Sequence, residues 1–457
     1  MPEEDKKANA DDRHEMAPPG GLHLVVIGAG LAGLAVALST KLANAAHRVT
    51  VLETVKELQE VGAGLQVTPN GTCLLAQWGL LAELAPHAAV PKTLSVHRYD
   101  GSKLLAHEPA LQAQVVARYG YPFWDLHRVD LQRALVGKCR ALGVDIRLGA
   151  RAESVDFAAA AVRLAGDGPQ QVVVAGDVVV LADGLWSAIR PQFLGRPSPA
   201  ILTGDLAYRI TLRADELSGP DRDELAAVVR DPAVRFWVGP HSHAVGYSVS
   251  GGAVYNLVFL CPDDLPAAVV KSAGDLGEMR ALFAGWDPLL TKFLGQVKAV
   301  HKWKLMWLDA LPQWANLEGT FFMAGDCCHP MLPYLAQGAN SSLEDGAVLG
   351  HLLGRVGSDA REDRAGQLAR VSELYQRLRM DRGRRIQLET FLQRDDSHLP
   401  DGEAQEKRDA LMLSMLGEDR ELKAPFPSRW TCPEIQPFLY GYDAYAEAEK
   451  AFQESPF

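Results

Sequence analysis

The sequence is poor in cysteine, in long apolar runs and in positive charge, and each shortage narrows what the chain does. Its six cysteines lie scattered at Cys73, Cys139, Cys261, Cys327, Cys328 and Cys432, with no CxxC spacing. Adjacent Cys327 and Cys328 do not readily bridge to each other. The set therefore reads as reduced thiols, with no disulfide framework and no metal site expected. No run reaches the roughly 18 apolar residues of a membrane-spanning helix. The first twenty residues are charged, contain Pro and Gly, and have no apolar stretch. They predict a disordered tail over 1–20 rather than a signal peptide, and hence a cytoplasmic protein. A formal net charge of −11 argues against nucleic acid or an anionic membrane as a main partner.

What is present is the patterning of a globular α/β chain. Leu22 to Ile27 is a β-branched apolar run of buried-strand type. It feeds Gly28-Ala29-Gly30-Leu31-Ala32-Gly33, a helix to about Leu42, and a second strand, Val49 to Glu53. This is a βαβ unit, which implies a parallel sheet. In such a loop Gly28 permits the turn, Gly30 lets a pyrophosphate approach and Gly33 lets the helix pack on the strand. Glu53, twenty residues on, is placed to accept from a ribose. The motif points to a dinucleotide without distinguishing NAD from FAD.

Further along, 70–86 and Val129 to Leu142 read as helices, and Asp145–Leu148, 171–174 and Asp177–Leu181 as strands. From about 200 to 310, short apolar runs punctuated by Gly, Pro and Asp suit an antiparallel sheet. The buried-strand pattern returns at Phe321 to Ala324. Ser341-Ser342-Leu343-Glu344 has capping-box form and predicts a helix from there to about Leu353. A charged helix follows over 368–393, with Arg377 to Arg385 expected on a solvated face. The α/β fold expected is a discontinuous Rossmann-like domain, over 21–200 and 311–400. An antiparallel-sheet substrate domain interrupts it over 201–310, and C-terminal helices lie in a 401–457 extension.

Asp183-Gly184-Leu185-Trp186-Ser187-Ala188-Ile189-Arg190 follows the strand Val178–Leu181. It suits the edge of a dinucleotide site, or a plain strand-to-helix turn with Ser187 and Arg190 in capping roles. The stretch Gly325 to Asn340, Gly-Asp-Cys-Cys-His-Pro-Met-Leu-Pro-Tyr-Leu-Ala-Gln-Gly-Ala-Asn, joins a strand to a helix through a long, barely charged loop. Loops of that kind are uncommon as purely structural connections. Asp326 is placed to accept from ribityl hydroxyls, and a helix opening near Asn340 would aim its positive end at a flavin ring.

These stretches, with GAGLQVTPN at 62–70, LHRVDLQRAL at 126–135 and LYGYDAYAEAE at 439–449, carry a resemblance over about 22–450. The chain resembles the class A flavoprotein aromatic hydroxylases, of the p-hydroxybenzoate hydroxylase type, and within them the fungal salicylate 1-monooxygenase-like proteins. The resemblance implies FAD held at Gly28, Gly30, Gly33, Glu53, Arg128, Asp183, Asp326, Gly338 and Ala339, with NAD(P)H and O2 as co-substrates. It also implies a small phenolic aromatic substrate and a monomer or homodimer.

Candidates for the substrate side are Tyr208 and Arg209, an arginine able to fork onto a carboxylate. His243 and Tyr247, four apart on a strand, share one face, and relatives set a His and a Tyr at this spacing beside the ring. His243, Tyr247 and Arg209 are thus the expected catalytic set, with Gln66, Tyr208, Pro330 and Gln337 as substrate contacts. His241 reads as a turn residue and His329 as loop scaffold. The spacing of Trp303 and Trp307 lacks the Trp-x-Trp-x-x-Pro form of flavin halogenases. The reaction implied first is decarboxylative hydroxylation of a salicylate-like phenol to a catechol. Oxidative dearomatisation and ortho or para hydroxylation are alternatives within the same chemistry. A flavin-binding sensor without turnover is the alternative of another class.

Overall fold

The computed structural model describes residues 21–58, 64–166, 172–357, 363–416 and 427–457; the expected tail over 1–20 lies outside them. Five parallel strands form the first sheet, in the order Phe321–Met323, Val178–Leu181, His23–Ile27, Arg48–Glu53 and Asp145–Leu148. Every residue of Val178–Leu181 is buried, as expected for a parallel strand covered on both faces. The predicted βαβ unit is present, with its helix at Leu31–Ala43.

The second sheet has eight strands. In order they are Lys271–Ala273, His301–Trp307, Ile201–Arg213, Val254–Pro262, Ser242–Val249, Ala233–Gly239, Thr93–Arg98 and Leu104–Glu108. The last two come from well before residue 201. Thr93–Arg98 pairs parallel to Ala233–Gly239, so one seam departs from the antiparallel pattern. The turn between Ala233–Gly239 and Ser242–Val249 passes through His241, which has a φ of 56° and takes the turn role expected of it.

Two expectations are corrected. The helix predicted to open at the Ser341 capping box begins at Gln337 and runs to Gly354. Its N-cap position is Ala336, in the left-handed region at φ 53° and with no side-chain cap. Glu344 does not reach back to a cap because it is wholly buried among cations. Arg379 Nη1 is 2.7 Å from Glu344, Arg382 grips the same carboxylate at 2.7 and 2.8 Å, and Asn70 donates to it at 2.7 Å.

The second correction concerns the supposedly solvated arginines. On the helix Arg364–Ser397, Arg379 is 0% and Arg382 6% exposed. Arg379 Nε also donates to Asp345 at 2.8 Å, and Asp345 accepts from His329 and, at 2.8 Å, from the Gly325 N–H. A buried guanidinium is tolerated only when paired, and here the pairing fastens the 325 loop.

Helix Gln337–Gly354 lies directly on helix Leu31–Ala43. A methyl placed on Gly346, Gly350 or Gly354 would fall 2.4, 2.5 or 2.3 Å from the Cβ of Ala35, Ser39 or Ala43. The two backbones therefore meet without side chains between them. The C-terminal helix Ala444–Glu454 closes the same layer, with the Tyr445 hydroxyl 2.7 Å from both Ser39 Oγ and Trp78 Nε1. None of the described helices is long and apolar enough to cross a membrane.

Candidate active site

The strand His23–Ile27 ends in Gly28 at φ 107°, where a Cβ would sit 2.3 Å from the Ala182 carbonyl oxygen. A Cβ on Gly33 would fall 2.0 Å from the Gly28 carbonyl oxygen, so strand end and helix touch as the motif requires. A methyl on Gly30 would meet nothing within 4 Å, which leaves open space where a phosphate approaches the helix N-terminus. Glu53 braces this loop, its carboxylate accepting from the Ala29 N–H at 2.8 Å and the Val55 N–H at 3.1 Å. Gln132, not anticipated from the sequence, holds the loop's other side by donating to the Ala29 carbonyl at 2.8 Å. Its signal was its position one helical turn after Arg128.

Asp183 caps the next strand. Burial pushes its carboxyl up to about 6, and its Oδ1 is buried with no hydrogen-bond partner. Arg190, 2% exposed, donates to the Leu185 carbonyl at 3.0 Å and to the Cys327 carbonyl at 3.1 Å. Ser187 Oγ accepts from the Arg190 N–H at 2.9 Å. Ser187 and Arg190 thus take local bonding roles in this turn, and Arg190 ties it to the Gly325 loop. In that loop Gly325 has φ 73°, and the Asp326 side chain is exposed. Desolvation by the surrounding protein raises its carboxyl, while nearby His329 and Arg128 oppose the rise.

An orphaned buried acceptor, an open carboxylate and two uncluttered glycines, Gly30 and Gly338, suit a ligand rich in hydroxyls and phosphates. FAD fits this set. For Asp326→Ala, FAD affinity should fall about tenfold or more, since a charged acceptor contributes roughly 1.5–3 kcal/mol. Fluorescence titration of the apoprotein with FAD measures it, and unchanged affinity would remove Asp326 from the cofactor site.

Beyond the Gly325 loop lies a cavity of about 210 Å³. One face of the eight-stranded sheet supplies Arg209, His243, Tyr247 and apolar Val258 and Leu260, while Met331–Tyr334, Gly338, Ala339 and Gln66 close the other sides. His243 and Tyr247 do share a face, as period-2 alternation demands. The same alternation corrects Tyr208. It points to the opposite face, where its hydroxyl meets Glu278 at 3.2 Å and its ring lies 5.5 Å from the Lys302 ammonium. Pro330 and Gln337 do not line the cavity either. The Pro330 carbonyl accepts from Gln387 at 2.9 Å, and Gln337 is buried, bonded to Asn70 at 3.1 Å and Thr68 at 3.0 Å.

Several cavity neighbours had no signal in the sequence. His398 Nε2 lies 2.7 Å from His243 Nδ1, and the Tyr334 hydroxyl donates to Asp205 at 2.9 Å. Asp125, fully buried and pushed well above the usual carboxylate range by desolvation, accepts from Gln66 at 2.9 Å. His243 is held far below the ordinary histidine range by burial, with His398 adding to the effect, so it is neutral. Arg209 has no carboxylate within ion-pair distance among the described residues; its titratable neighbours are the Tyr247 phenol and the Arg128 guanidinium.

A family model described as an FAD binding domain matches residues 22–205 and 298–368. The chain belongs to that family. It is an FAD-dependent monooxygenase of the aromatic hydroxylase class. Residues 206–297, between the two matched stretches, hold Arg209, His243 and Tyr247. The chain is 51% identical over 434 residues to the FAD-dependent monooxygenase OpS4 of Beauveria bassiana, covering 94% of this chain and 97% of that one. It is 34% identical to the 3-amino-4-hydroxybenzoate 2-monooxygenase PtmB3 of Streptomyces platensis, covering 85% and 92%. Among solved structures, CtdE in complex with FAD and a substrate aligns with a TM-score of 0.76 at 19% identity, covering 95% and 98%. A salicylate hydroxylase substrate complex aligns at 0.73 and 21%, covering 94% and 98%. Both structures share the fold.

Proposed function

We propose that this monooxygenase uses NAD(P)H and O2 to hydroxylate a phenolic benzoate, with a salicylate-like acid converted to a catechol and CO2. The observation that supports the reading is Arg209, a guanidinium with no carboxylate partner among the described residues, on the same cavity wall as a neutral imidazole and a phenol. A guanidinium that lines a cavity without a carboxylate beside it suits an anionic group of a ligand. Bound FAD supplies the redox chemistry, drawing electrons from NAD(P)H and delivering one oxygen atom of O2.

The chain's own groups supply the rest. Arg209 orients the substrate carboxylate. His243 accepts the phenol proton at Nε2, since Nδ1 is engaged by His398, and this raises electron density on the ring. Tyr247, whose phenol burial keeps protonated, donates to the substrate oxygen. Val258 and Leu260 keep water from the ring. Oxygen attack at the carboxyl-bearing carbon then expels CO2.

A second reading, hydroxylation with the carboxyl retained, draws on the activity named for relatives such as the 3-amino-4-hydroxybenzoate 2-monooxygenase. Purified holoprotein mixed under air with NADH or NADPH and carboxyl-labelled salicylate distinguishes the two. Labelled CO2 formed in step with NAD(P)H consumption is the expected result. Consumption with the label kept in a dihydroxybenzoate favours the second reading. No stimulation by any hydroxybenzoate sinks both.

A further inference from the structure

We propose that His398 is a positioning residue for this oxygenation, fixing the tautomer of His243 and passing on the proton that His243 takes from the substrate. The inference rests on the reading of His243 as the base for a phenol.

His398 immediately follows the helix Arg364–Ser397, outside the stretches matched by the family model. Both its backbone groups are fixed: its N–H donates to the Arg394 carbonyl at 2.9 Å, and its carbonyl accepts from the His241 N–H at 3.0 Å. Its Nε2 is 2.7 Å from Nδ1 of His243, with ring centroids 5.0 Å apart. Tyr334 packs against both rings, at 5.2 Å from His243 and 5.8 Å from His398. The Tyr334 proton is committed to Asp205, so it does not compete for either imidazole. Asp205 in turn faces Arg394 at 3.7 Å. The charged or titratable groups facing the pair are therefore Tyr334, Arg394 and His241, and no carboxylate bonds to either ring among the described residues.

Two neutral imidazoles at this distance share one N–H, and the choice of donor decides what the cavity meets. If His398 donates, His243 presents an N–H to the cavity and is unable to take a proton. If His243 donates, its Nε2 lone pair faces the substrate. Only the second arrangement makes His243 a base. In it His398 carries its own N–H on Nδ1, the nitrogen turned away from His243.

Transfer then balances. The phenol O–H breaks as His243 Nε2–H forms. His243 Nδ1–H breaks as His398 Nε2–H forms, and His398, a half-buried residue, gives its Nδ1 proton to water. No oxidant or reductant is needed, and the reverse shift resets the pair when product takes a proton back. The helix C-terminus favours the proton on His398 over His243. Burial and Arg394 nonetheless bring His398 down to about 3, so it releases the proton instead of storing it.

The test uses full-length, FAD-loaded protein with 15N-histidine, His243 being assigned by its loss in His243→Asn. Nδ1-protonated His243 is expected; Nε2-protonated His243 overturns the proposal. A second measurement titrates bound 4-hydroxy-3-nitrobenzoate, whose phenolate absorbs visible light. His398→Phe and His398→Gln should each raise the apparent pKa of the bound phenol by about one unit or more. They should lower kcat about tenfold or more with little change in KM, and leave the flavin spectrum unchanged. Should His398→Phe fail to retain FAD, the His398→Gln protein decides alone. Titration like wild type in the His398 variants, with a shift in His243→Asn, removes His398 and leaves the base reading intact. No shift in His243→Asn either removes the base reading, and this inference with it.

Discussion

Replacing Arg209 with leucine should raise KM for the carboxylate-bearing substrate by roughly 30-fold or more, the factor that about 2 kcal/mol represents. The guanidinium lines the cavity over the Trp303 ring, 5.3 Å from its centroid, and among the described residues no carboxylate lies within ion-pair distance of it. The effect should shrink toward unity when the substrate carboxylate is replaced by a carboxamide, a cycle that isolates the charge pair from the loss of packing. Tyr208→Phe is the control: one residue away but on the other face, it should leave KM within twofold. Steady-state kinetics on the two variants decides between a carboxylate subsite and an arginine that only packs on Trp303.

Replacing Arg379 with leucine should destabilise the folded protein by about 3–5 kcal/mol, the cost of stripping a partner from buried charges. Glu344 would keep Arg382, but Asp345 would retain only His329 and the Gly325 N–H. Burial already opposes ionisation of Asp345, and His329 and Arg379 are what hold its carboxyl below the usual range. That low value contributes stability above the unfolded carboxylate range, lost as pH falls through the folded one. The variant should therefore show a lower Tm at neutral pH, with the deficit narrowing in acid. FAD release should accompany it, because Gly325 hangs on the same carboxylate. Thermal denaturation followed by flavin fluorescence across pH reads both effects, and an unchanged Tm would show the pairing to be dispensable.

What the sequence made legible was local. The glycine loop, the apolar strand runs and the same-face placement of His243 and Tyr247 follow from short-range periodicity and turn chemistry. What it hid depended on partners far along the chain. Tyr208 and Arg209 are adjacent, so one of them had to miss the cavity, and only the sheet's position shows which. Arg379 and Arg382 read as solvated because their acidic partners lie more than 30 residues away. The start of the buried helix was invisible because its N-cap is an alanine at φ 53°, a position that Ser, Thr, Asp or Asn usually fills. His398 stands 155 residues from His243, and no spacing rule joins them.

Tyr445 meets Ser39 across 406 residues of chain, and that contact sets an order of events during biosynthesis. The first helix leaves the ribosome on the order of half a minute before its last partner, at the usual rates of synthesis. Until Phe438 and Leu439 emerge, Arg382 lacks the carbonyls that receive it. The nascent nucleotide layer thus lacks these contacts until the late residues emerge. A nonsense codon between positions 438 and 445 would remove Tyr445 and its contact with Ser39 while sparing every residue that lines the cavity, and should yield a less stable product.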